Sequence, residues 1–157
     1  QEIGFAVEIA LNVDSTALRE KINLFKVSAS RAEHAVIYYT GTGVEIDGVN
    51  FFPSVDATGV LSPDEREKWF TAEDFANAVK SARQKGIVML DGGRPSLKAS
   101  EDRIFQFLGG DRELELDRIT NYSDVVFLYS SLSDQFAFEE QNLSYFAKAV
   151  SEKIVIP

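Results

Sequence analysis

The sequence predicts an α/β protein, a three-layer α/β/α sandwich built around a mostly parallel sheet. Three observations lead there. Short β-rich apolar runs recur along the chain, amphipathic helical patterns separate them, and strand–helix alternation of this kind builds layered α/β domains. At 157 residues and 45% hydrophobic content the chain can bury one substantial core and not two. A single domain over residues 1–157 is expected.

Taken in order, Phe5–Leu11 is a first strand, apolar and bounded by polar signals as buried parallel strands are. Asp14 or Ser15 caps a helix on which Leu18, Ile22 and Phe25 recur at helical spacing. Ala35–Tyr39 is the second strand, and after the Gly41-Thr42-Gly43 loop Val49–Phe52 forms a small extra strand that Pro53 ends. The stretch Asp56–Lys68, with Gly59, Pro63 and several charges, reads as an exposed loop. Thr71 and Asp74 have capping-box spacing ahead of Phe75, Val79 and Ala82, which predicts a second crossover helix. Ile87–Asp91 and Val125–Tyr129 are the third and fourth strands. Between them Ser100 opens a helical stretch carrying Ile104, Phe105 and Leu108, stopped by Gly109-Gly110. Leu143, Phe146, Ala147 and Val150 stripe a final helix.

Composition narrows the function classes. Sixteen basic against twenty-five acidic residues give a net charge of −9, which repels a phosphate backbone, so no nucleic-acid partner is expected. No apolar run approaches the roughly 20 residues of a membrane span, so the chain is expected to be soluble with no membrane partner, its compartment left open between cytoplasm and periplasm. The chain has no cysteine and one histidine, His34. Disulfides and thiolate metal sites are therefore excluded, and neither a metal nor a cofactor is expected.

Ligands of parallel α/β sheets bind where loops leave the carboxyl ends of the strands. Three loops share that edge here: Thr40–Val44, Gly92–Ser96 and Ser130–Gln135. The run Gly41-Thr42-Gly43 lacks the glycine spacing and following helix of a phosphate loop. A Thr42 nucleophile would need a base, and His34 lies a strand length away.

The segments Tyr38-Tyr39-Thr40-Gly41-Thr42-Gly43 and Leu90-Asp91-Gly92-Gly93-Arg94 resemble the active-site strands of the caspase-like clan. There a Tyr-Tyr-x-Gly-His-Gly segment brings the histidine and a Leu-Asp-x-Cys-Arg segment the nucleophile. The resemblance extends through Phe5–Phe25, Gly43–Asn50, Pro53–Asp56 and Tyr129–Glu139 with the helix after it, and is nearest to bacterial caspase-like domains of the peptidase C14, orthocaspase or metacaspase-related kind. It implies a caspase-like sandwich, places Thr42 at the histidine position and Gly93 at the cysteine position, and so implies a degenerate dyad. The roughly 50-residue spacing of that dyad is kept while both functional groups are missing.

The same resemblance assigns Asp91, Arg94, Ser131 and Asp134 to a peptide-binding crevice, with Asp91 in the pocket that receives a basic side chain. The local alternative is that Asp91 ends a strand, caps backbone N–H groups or pairs with Arg94. Tyr38, Tyr39, Phe51, Phe52 and Trp69 read as core or pocket wall. Against the family pattern the chain begins after a first central strand and helix and stops before a terminal element. It is expected to be a fragment, or a chain whose missing strand another polypeptide supplies. The expected function is that of a catalytically inactive pseudopeptidase acting as a binding, regulatory or scaffolding module. Its partner would be a protein or peptide, such as an active caspase-like relative or a separate N-terminal fragment. The rival expectation is a peptidase of this family with its catalytic residues replaced, or a hydrolase using other groups in the same crevice.

Overall fold

Local chemistry sets the two crossover helices. In the computed structural model, which describes residues 4–46, 48–60, 62–93, 122–132, 139–140 and 143–153, helix α1 spans Ser15–Ala29. Asp14 is its N-cap, with the carboxylate accepting from the Ala17 amide at 2.8 Å. Helix α2 spans Ala72–Val79 and begins with a complete capping box: the Asp74 amide donates to Thr71 Oγ1 at 3.2 Å, and the Thr71 amide donates to the Asp74 carboxylate at 2.7 Å. Both caps stand where the sequence places them.

The main sheet is parallel, in the order β1 (His34–Thr40), β5 (Lys85–Asp91), β6 (Val125–Tyr129). Its register runs from His34 opposite Lys85 to Thr40 opposite Asp91, and from Gly86 opposite Val125 to Leu90 opposite Tyr129. Because side chains alternate along a strand, Ala35, Ile37, Tyr39, Val88 and Leu90 share one face. That face carries the core, closed by Leu18, Ile22 and Phe25 of α1 and by Phe75, Ala76 and Val79 of α2. Gly86 lets α2 lie against β5, since a Cβ there would come within 2.7 Å of the Val79 side chain. The opposite face carries Tyr38, whose ring stacks on Phe146 of α3 (Tyr145–Lys153) at 6.2 Å between centroids. Helices on both faces of a parallel sheet make the expected α/β/α arrangement.

A second, antiparallel sheet joins β2 (Val44–Ile46), β3 (Val49–Pro53) and β4 (Trp69–Thr71). Here β3 is the expected extra strand, and it lies between two strands the sequence pattern does not reveal. Ile46, Phe51 and Trp69 make a satellite core, while Phe52 of β3 points into the main one. A two-residue pair, β7 (Glu139–Glu140) with β8 (Leu143–Ser144), precedes α3, so Leu143 lies in β8, outside the final helix.

Two expectations need correction. Phe5–Leu11 is neither helix nor strand and pairs with no strand among the described residues, and all seven residues are exposed; a strand needs a ladder partner, which residue pattern alone cannot supply. The stretch Asp56–Lys68 is more than a loop, because Pro63–Lys68 forms a 3₁₀ helix. Within it Glu65 is buried, accepting from the Thr58 amide at 2.9 Å and from Lys68 Nζ at 2.7 Å. The expected helix from Ser100 lies outside the described residues.

Asp56 ties the start of α1 to the end of β3. Its carboxylate accepts from Ser54 Oγ at 2.7 Å and from the Ser15 amide and hydroxyl, each at 2.8 Å. The Ser54 hydroxyl and then the Ser15 donors hold its pKa down at about 2, against an ordinary 3.8. With the folded value depressed, the stabilisation is complete above the ordinary value and is lost as pH falls through 3.8 towards about 2. Denaturant midpoints measured over that window should fall less steeply for Asp56→Asn than for the wild type, and equal slopes would remove Asp56 as a source of acid sensitivity.

Candidate functional site

The carboxyl ends of β1, β5 and β6 bring three loops into direct contact. The Gly41 amide donates to the Asp91 carbonyl at 3.2 Å, and the Gly43 amide to the Gly93 carbonyl at 3.0 Å. From the third loop Ser130 Oγ accepts from the Gly92 amide at 3.0 Å, and the buried Ser131 donates its hydroxyl to the Gly92 carbonyl at 2.9 Å. Gly92 is the tightest point: a Cβ there would lie 2.0 Å from the Gly41 carbonyl oxygen. The convergence expected from strand alternation is thus built from backbone and serine hydroxyls, with glycines where the loops meet.

Asp91 is the one carboxylate at the centre of this crevice among the described residues. It closes β5 and is 4% exposed. Its Oδ2 accepts two hydrogen bonds, from the Tyr38 hydroxyl and from Ser144 Oγ. Ser144 in turn accepts from the Ala147 amide at 2.9 Å, so one hydroxyl caps α3 and holds the carboxylate. Burial, then the hydrogen bond and charge of Asp91, push the Tyr38 pKa up to about 12. Asp91 Oδ1 is buried and has no hydrogen-bond partner, and no cation pairs with Asp91 among the described residues. A buried carboxylate oxygen left without a donor in this way is an unsatisfied acceptor, and a charged donor that reached it would be strongly bound.

Thr42 is exposed at the rim, and its carbonyl accepts from the Tyr39 hydroxyl at 3.0 Å. The Gly93 carbonyl accepts from the amide of Gly43, the residue after Thr42. His34 is exposed at the far end of β1, so the seven-residue strand puts roughly 20 Å between it and the Thr42 loop. That distance rules it out as a base for Thr42 within one chain. Of the crevice residues expected from sequence, Asp91 and Ser131 come together around Gly92; Arg94 and Asp134 lie outside the described residues.

Sequence reading missed Tyr38 and Ser144 as Asp91 partners. Tyr38 shares the sheet face of Asp91 through the β1–β5 register, which parity along the strands would have shown once the pairing was known. Ser144 carries the mark of an N-cap just before α3, a signal for helix start and not for contact with Asp91. Among the described residues no group of three His, Asp or Glu could hold a metal ion, and no helix is long and apolar enough to cross a membrane.

Comparison with curated proteins gives no match. The family model of the caspase domain, peptidase C14, matches residues 1–155. With that match across almost all of its 157 residues, and a parallel sheet flanked by helices, the chain belongs to the peptidase C14 caspase-domain family.

Proposed function

We propose that this caspase domain binds a peptide or protein segment and does not cleave it. The observation that carries the reading is the composition of the crevice. No thiol exists anywhere in the chain, and the resemblance to the caspase motifs puts Gly93, which has no side chain, at the nucleophile position and Thr42 at that of the imidazole. Cysteine–histidine hydrolysis needs a thiolate and an imidazole that protonates the leaving amine; the chain has no cysteine, and its one histidine, His34, lies at the far end of β1. What it keeps is Asp91, held on one oxygen by Tyr38 and Ser144 and open on the other. A guanidinium or ammonium from a bound segment would supply the missing donor and the balancing charge. The partner is therefore a protein or peptide presenting arginine or lysine, and the role is regulatory or scaffolding.

Fluorogenic peptides ending in arginine or lysine should show no turnover. Turnover that disappears in Thr42→Ala or Asp91→Ala would overturn the proposal. An uncleavable arginine peptide should bind the wild type, and Asp91→Ala should weaken it tenfold or more, since hydrogen bonds to charged groups contribute about 1.5–3 kcal/mol. Equal affinity in a calorimetric titration of the two proteins would remove Asp91 from the site.

A further inference from the structure

The helix that follows the crevice is fastened to the carboxylate that the crevice presents. Ser144 stands one residue ahead of α3 and uses its hydroxyl twice: the oxygen accepts from the Ala147 amide at 2.9 Å, and the proton is donated to Asp91 Oδ2. Phe146, two residues further on, stacks on Tyr38 with 6.2 Å between ring centroids. Tyr38 is the second donor to that same oxygen. So α3 meets Asp91 directly through Ser144, and at one remove through Phe146.

Asp91 is 4% exposed, and its Oδ1 is buried without a donor. Leaving a buried carboxylate oxygen unsatisfied is costly, and two events would relieve the cost. One is the arrival of a cationic side chain, which brings donors and the balancing charge. The other is retreat of α3, which takes Ser144 away and admits water to the carboxylate. The two oppose each other. With Oδ1 satisfied by a bound cation, retreat of α3 gains no hydration that Asp91 still lacks, and it sacrifices the Ser144 bond and the Phe146 stack.

We propose, on the basis of the peptide-binding reading above, that Ser144 is a positioning residue that couples the crevice to α3. An arginine or lysine side chain on Asp91 locks the helix onto the sheet, and the docked helix tightens the hold on that side chain. Linkage makes the effect reciprocal: a ligand that favours the docked helix is favoured by it to the same factor. Ser144 suits the role because one hydroxyl serves both partners. Its oxygen starts the helix while its proton, with that of Tyr38, occupies Oδ2 and leaves Oδ1 as the oxygen a third donor would meet.

Hydrogen exchange on the full chain, with and without an uncleavable arginine peptide, tests this. Saturating peptide should slow exchange at the α3 amides of residues 149–153 about fivefold or more and leave the amides of α1 unchanged. Ser144→Gly retains a residue tolerated at a helix N-cap but has no hydroxyl to give Asp91. It should bind the peptide about fivefold or more weakly and lose the α3 response, and Ser144→Thr should restore both. A peptide that fails to bind the wild type would overturn the peptide-binding reading and the coupling with it. A peptide that binds through Asp91 yet leaves α3 exchange unmoved, or that binds Ser144→Gly as tightly as the wild type, would overturn the coupling alone.

Discussion

Phe75→Ala is expected to lower the unfolding free energy by about 3–5 kcal/mol, a large share of the roughly 5–15 kcal/mol that holds a domain together. Phe75 is 2% exposed and sits where α2 meets both sheets. Its ring lies 5.7 Å from that of Tyr39 in β1 and 5.8 Å from that of Phe52 in β3. Removing it leaves a cavity that two strands of different sheets and a helix would have to close together, and packed cores relax only partly. The effect should reach the crevice as well. Tyr39 packs on both phenylalanines, and its hydroxyl, held protonated by burial that pushes its pKa up to about 12, donates to the Thr42 carbonyl. Equilibrium denaturation gives the stability change, and Phe75→Leu, which refills most of the space, should recover much of it. A loss below about 1 kcal/mol for the alanine variant would mean that the three elements do not share one core.

Gly92→Ala should cost about 1–3 kcal/mol and disorganise the crevice more than its size suggests. The added methyl would fall 2.0 Å from the Gly41 carbonyl oxygen, and the atom in the way is backbone, so one of the two loops must move. Moving either separates the Gly41 amide from the Asp91 carbonyl and the Gly43 amide from the Gly93 carbonyl. Hydrogen exchange at the Gly41 and Gly43 amides should therefore quicken relative to amides inside β5. Arginine-peptide binding should fall along with it, because Asp91 is the residue at the end of the displaced strand. Unchanged exchange at both amides would show that the loops are not held by these bonds.

How far the sequence could be read differs by element, for physical reasons. The capping residues Asp14 and Thr71 were legible because a cap bond closes within three residues of chain. Strands β1, β5 and β6 were legible because each is a short apolar run bounded by polar or glycine signals, even though Tyr38, Val126 and Leu128 on one face are exposed. Phe5–Leu11 has the same kind of run and is no strand here, since strand identity belongs to a pair. Glu65 looked like one charge among many in a loop; its burial depends on the Thr58 amide and Lys68, and on how the 3₁₀ turn sits against them. The crevice followed the same division. Asp91 could be singled out at the end of a strand, whereas its two hydroxyl partners lie 53 residues before and 53 residues after it.

The sequence by itself determined the α/β alternation, the helix starts, the absence of any thiol and the motifs whose resemblance to the caspase pattern singles out Thr42 and Gly93. These depend on composition and on short-range pattern, which the chain carries regardless of how it folds. Only the tertiary structure decided that Asp91 has one oxygen bonded and the other buried without a partner, that Gly92 is fixed by the backbone it touches, and that Phe5–Leu11 pairs with no strand among the described residues. Each of those depends on groups brought together from distant parts of the chain, and contact at such separations is settled by packing and register, not by local preference.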